Sequence, residues 1–211
     1  SIIANGPTKK IFTRQNLEIK SSTLYAEKIY NSIIEIEELK NIKYRITGSF
    51  IVGLNNYVSK ILNPLVNGDL ILPDLKDIDK AIYCNEYSLK LSKSTTSLPY
   101  NRLKINQLLL ETFKIIISKN TNKYENCVEK LDEIKLLDPD GAYVYNLSGT
   151  LYKELNELKK AKENAIITEE KAPLWSEAPC NYGKIYMKEN NYYEAFNKFN
   201  ETIKKGPNQS K

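Results

Sequence analysis

Apolar residues recur at helical spacing almost from end to end of this chain. Leu24, Ile29, Ile33, Ile34, Ile36 and Leu39 fall along one helix face, with Ser21 or Ser22 in place as N-cap, and predict a helix over about 21–41. The stretch SFIVGLNNYVSKIL predicts a buried helix over about 48–62, ended by Pro64 because proline restricts the residue before it. NGDLILPDLKD reads as a loop with two turn signals. Asp77 opens a third helix, which closes before the polar run STTSLPYN. A fourth opens near Asn101, carries Leu103, Leu108, Leu109, Leu110, Phe113 and Ile115 to Ile117, and gives way to Ser118, Lys119 and Asn120. Shorter amphipathic runs then alternate with polar turns to the C-terminus. The pattern predicts an all-α protein of about nine to ten helices.

From about Glu111 onward the pattern repeats. Gly149 returns as Gly183, Tyr152 as Tyr186, Ala161 as Ala195, Thr168 as Thr202 and Pro173 as Pro207, each 34 positions on. One step back lie Pro139, Tyr124 (matching Leu158 and Tyr192), Cys127 (matching the alanines) and Leu131 (matching Ala165 and Phe199). A fixed period of this length marks a helical-hairpin array. The small residues, Gly149 against Ala161 and Gly183 against Ala195, let paired helices approach, and the prolines close each second helix. One hairpin cannot bury its apolar face alone, whereas stacked hairpins can.

With Gly183, Tyr186, Tyr192, Ala195, Phe199 and Pro207 in its last unit, and Gly149, Tyr152, Ala161 and Pro173 in the middle one, the segment resembles the tetratricopeptide repeat. The middle unit departs from that pattern at Leu158 and Ala165, and the first unit at Ile115 and Ser118. The resemblance implies three repeats at about 108–141, 142–175 and 176–209 forming a short right-handed solenoid. Before them come an arm over 1–16 and an unassigned helical domain over 17–107. It also implies a groove to which the first helices offer Phe113, Ile116, Tyr143, Asn146, Leu147, Thr150, Asn181, Lys184 and Lys188. Phe113, Ile116 and Tyr143 serve equally well as core against the upstream helices.

Composition narrows the chemistry. Hydrophobic content of 41% and charged content of 27% are those of an ordinary globular chain, and the net charge of +5 is spread as lysines alternating with glutamates. No basic patch accompanies the tyrosines, so nucleic acid is not an expected partner. No apolar run is long enough to span a bilayer. Heavy use of Lys, Asn, Ile and Tyr suggests an AT-rich, bacterial genome. The opening SIIANGPTKKIFTRQN lacks a helical period and reads either as the tether of an exported or lipid-anchored envelope protein, its leader removed, or as a plain chain end. Cys84, Cys127 and Cys180 are odd in number and widely spaced, which argues against a disulfide framework, and Cys127 occupies a small, buried repeat position.

Histidine is absent, which removes Ser-His-Asp, Cys-His and His-based zinc chemistry, and no P-loop pattern occurs. Gly48-Ser49 followed by Asp77-Ile78-Asp79 distantly resembles the nucleotidyltransferase motif, but the separation is too long and both pieces sit in helical patterns. The aspartates read as helix-opening carboxylates. No catalytic residue, metal site or cofactor is expected. Two functional classes remain: a non-catalytic adaptor that holds another protein, and an enzyme or small-ligand binder working in the N-terminal half. On the last helix Tyr193, Phe196 and Ile203 share a face that no later helix covers before Lys211, which predicts either a second copy or another protein there.

Overall fold

A computed structural model describes residues 14–67, 73–92 and 98–206. Among these residues there are nine α-helices and two 3₁₀ turns, and no strand. The helices are α1 (Arg14–Ile34), α2 (Lys43–Val66), α3 (Leu75–Leu91), α4 (Leu98–Ile117), α5 (Tyr124–Leu137), α6 (Ala142–Glu154), α7 (Leu158–Lys171), α8 (Glu177–Lys188) and α9 (Tyr192–Lys205). The all-α, helical-repeat class expected from the pattern is the one observed. No described helix is long and apolar enough to cross a membrane.

Several boundaries move for local reasons. Of the arm over 1–16, residues 1–13 lie outside the described part, and Arg14 to Asn16 already belong to α1. The helix expected over 21–41 stops at Ile34, because Ile36 takes extended backbone (ψ 118°) before a 3₁₀ turn over Glu37–Ile42. The apolar period runs on through that break. Helix α2 continues through Pro64 to Val66, since a proline in a last turn forfeits a single hydrogen bond; the Asn67 amide still donates to the Asn63 carbonyl at 2.9 Å. Helix α3 is capped by Asp74, whose carboxylate accepts from the Lys76 amide at 3.0 Å, and Asp77 falls inside the first turn. Helix α4 starts at Leu98, with Pro99 in its first turn, where a missing amide costs nothing.

The chain divides into two units, Ser1–Phe50 and Ile51–Lys211. Within the first, buried Tyr30 stacks on Phe50 with ring centroids 4.5 Å apart, and its hydroxyl meets that of Thr47 at 2.9 Å. Within the second, each helix from α3 to α9 packs on the next, and α6 also touches α8. Helix α4 is buried around much of its circumference, through Leu103, Leu108, Leu109, Leu110, Thr112 and Phe113, as a helix apolar on several sides must be.

Helices α5, α7 and α9 have 14 residues each and begin 34 positions apart. The helices before them end in matching turns. Asn120, Glu157 and Asn191 donate their amides to the carbonyls of Ile115, Tyr152 and Tyr186, and Lys119, Asn156 and Asn190 adopt positive φ. Superposing those turns matches Thr112 with Gly149 and Gly183, and Ile115 with Tyr152 and Tyr186. The poor fit of Ile115 and Ser118 to the first repeat therefore has a physical cause. Thr121–Lys123, coiled as a 3₁₀ turn, is an insertion that shifts the preceding helix by three residues.

The glycines mark close helix approaches, with one correction. A Cβ on Gly149 would stand 3.3 Å from the Ala161 carbonyl oxygen, the expected neighbour. On Gly183 it would meet the Phe199 ring instead of Ala195, with Cδ1 at 2.6 Å and Cζ at 2.9 Å.

Candidate partner-binding surface

On α6, Tyr143, Asn146, Leu147 and Thr150 follow at helical spacing, all half-buried, and so form one side of a shallow surface. Asn181 of α8 closes on it. Its side-chain amide donates to Asn146 Oδ1 at 2.6 Å and to Thr150 Oγ1 at 3.3 Å, while the Thr150 hydroxyl donates to the Asn146 carbonyl at 3.1 Å. Lys188 reaches back from the end of α8 to the Lys153 carbonyl at 2.7 Å, and Lys184 stands exposed between. Of the nine residues expected along the groove, Asn146, Thr150 and Asn181 thus join in one hydrogen-bonded cluster.

Tyr143 anchors the near end. Burial pushes its phenol pKa up, and donation to Asp138 Oδ2 at 2.7 Å pushes it further, so the hydroxyl stays a donor at any physiological pH. Phe113 and Ile116 lie on α4, the first buried and the second half-buried. The turn-based alignment equates Asn106 with Tyr143 and Leu109 with Asn146. Asn106 and Leu109 share a cavity of about 40 Å³ with Ser59, Leu62, Asn63 and Val66 of α2 and with Tyr143 itself. Residues of α2 thus stand beside the groove-facing positions Asn106 and Leu109 of α4 and beside Tyr143 of α6. Sequence reasoning missed Asp138, Lys153 and these α2 neighbours. Only the Thr121–Lys123 insertion, had it been recognised, would have placed Asn106 and Leu109.

Behind the groove, the second helices are tied together by charge. Glu169 of α7 pairs with Lys205 at 3.2 Å, and Glu201 bonds Lys198 and Lys205 at 2.9 and 3.0 Å. Burial works to raise the Glu201 pKa, but the two ammonium groups outweigh it and hold the carboxyl down at about 2. Lysines also cover tyrosine rings, Lys162 over Tyr186 at 4.7 Å between hairpins and Lys198 over Tyr182 at 5.0 Å within the last one.

A second concavity of about 600 Å³ lies among α3, α4 and α5, lined by Glu86, Glu111, Lys114, Lys123 and Lys130 among others. Its ions largely satisfy one another: Lys130 pairs with Glu111, and Lys114 with Asp79 at 2.6 Å. Asp77 accepts from the Tyr57 hydroxyl at 3.0 Å, so the aspartate pair is engaged in helix packing, and Gly48 is helical. No group of side chains suited to a metal occurs among the described residues. Cys84 and Cys127 are buried free thiols, and burial pushes Cys127 up to about 11, as expected of a packed small residue.

No family model matches the chain, and no curated protein matches it. Among solved structures it is similar to one titled MamA MSR-1 C2, with 13% identity and a TM-score of 0.49, over 79% of this chain and 97% of that one. The helices' own arrangement defines the class: an all-α protein of stacked helical hairpins.

Proposed function

We propose that the protein is a non-catalytic adaptor of tetratricopeptide type, in which the repeats at about 108–141, 142–175 and 176–209 hold a segment of another polypeptide. The carrying observation is the hydrogen-bonded Asn146–Thr150–Asn181 cluster that joins α6 to α8. Asparagine side chains present both a donor and an acceptor, which suits the backbone of an extended or helical segment. Tyr143 and Leu147 supply apolar contact at one side of the face. Lys184 and Lys188 supply positive charge at the other, which favours acidic or polar side chains on the occupant. Phe113 and Ile116 support the floor from α4.

The test is affinity capture from the native cell with identification by mass, run beside Asn146→Ala and Asn181→Ala. A captured protein lost by at least tenfold in both variants, with helical content unchanged, is the expected result. Equal capture by all three proteins would refute the assignment of this face.

A further inference from the structure

Tyr193, Phe196 and Ile203 of α9 are 73, 63 and 75% exposed. Position for position, Phe196 corresponds to Lys162 of α7, and Ile203 to Glu169. Those two residues face the following hairpin, where Lys162 pairs with Glu189 at 2.6 Å and Glu169 with Lys205 at 3.2 Å. The α7 face is charged at these positions, whereas the α9 face is apolar and exposed among the described residues.

We propose that this stripe is a self-association surface, covered by α9 of a second copy lying antiparallel across a two-fold axis. The inference is independent of the groove on α6 and α8. A second copy cannot take the place on α4 that a preceding second helix would fill, because α3 already packs there. A two-fold contact remains, and α9 is self-complementary for it. Phe196 and Ile203 stand seven residues apart on one face, so an axis near Asn200 sets Phe196 of each copy against Ile203 of the other, twice. Tyr193 and Lys204 lie eleven residues apart on one flank of the helix. Antiparallel helices bring like flanks together, so each Lys204 reaches the Tyr193 ring of the second copy. Lysine over tyrosine is a contact this chain already uses between helices, once across hairpins and once within one. Among the described residues neither Tyr193 nor Lys204 has a partner. So small a patch belongs with transient interfaces, below about 1,200 Å² of total buried surface.

Sedimentation equilibrium of the full chain, taken to the highest concentration it tolerates, tests this. The unmodified protein should shift from monomer to dimer mass as concentration rises. Phe196→Glu alone and Ile203→Lys alone should each weaken association by at least tenfold. Mixing the two variants should restore it, because the introduced carboxylate then faces the introduced ammonium on one side of the axis and the native pair persists on the other. A monomer at every concentration would overturn the proposal and leave the stripe to a different protein. So would single variants that associate as the unmodified chain does, or a mixture that stays monomeric. Circular dichroism confirms folding, and Phe196→Lys with Ile203→Glu repeats the test in swapped charges if either variant loses helix.

Discussion

Replacing Gly183 by alanine adds one methyl group between α8 and α9, and the structure says where it goes. It would stand 2.6 Å from Cδ1 and 2.9 Å from Cζ of Phe199, with Cε1 nearer still, against about 3.5–4.0 Å for carbons in comfortable contact. The ring has to shift by about 1 Å, and overpacking of that kind costs about 1–3 kcal/mol. Alanine is favoured over glycine inside a helix by about 1 kcal/mol, which offsets part of the cost. The expected net effect is a loss of about 0–2 kcal/mol, or a fall of up to roughly 4–8 °C in melting temperature for a chain of this size. The interaction is isolated by a double-mutant cycle with Phe199→Ala, followed by thermal and urea unfolding with circular dichroism. Without the ring the same methyl should stabilise by about 1 kcal/mol, so the coupling between the two sites should be about 1–3 kcal/mol. If Gly183→Ala stabilises equally with and without Phe199, the close approach assigned to Gly183 is wrong.

Lys119 holds positive φ (52°) in a turn where glycine or asparagine is at ease, so Lys119→Gly should raise stability by about 0.5–1 kcal/mol, read as an increased urea midpoint. Asp74→Ala should lower it by about 1 kcal/mol through loss of the α3 cap, measured in the same way. The Glu201 carboxyl is held at about 2 in the fold against an ordinary value near 4.5, so its contribution is fully present above that ordinary value and is lost as pH falls towards 2. Glu201→Gln should flatten the decline in melting temperature over that acid range and leave the neutral range comparatively level. Within the groove, Asn181→Ala should cost about 1–3 kcal/mol by leaving Asn146 and Thr150 without their shared donor, again by urea unfolding.

The second and third hairpins were legible because their glycines, alanines and tyrosines recur without interruption, and a constant period is a strong signal even where Leu158 and Ala165 replace aromatics. The first hairpin was half legible. Its α5 kept register, while α4 was displaced by Thr121–Lys123, and a fixed-period comparison sets Ile115 where Thr112 belongs. Helix ends were less readable than helices. Ile36 and Leu39 satisfied an apolar rhythm although the backbone breaks beneath them, and Pro64 looked like a stop although a last turn tolerates it. The hydrogen bonds among Asn146, Thr150 and Asn181 join residues some 31 to 35 positions apart, a relation that helical spacing alone does not disclose.

Under the proposed adaptor function, the α2 residues that line the cavity beside Tyr143 also act as a ruler. Neighbouring helices lie about 8–10 Å apart, so an open face built on α6 and α8 alone measures about 20 Å across. At about 3.3 Å per extended residue, that is room for a strand-like segment of about six residues. In the proposed adaptor a longer segment would meet Leu62, Asn63 and Val66 of α2 where they stand beside Tyr143, so these residues would favour short linear segments.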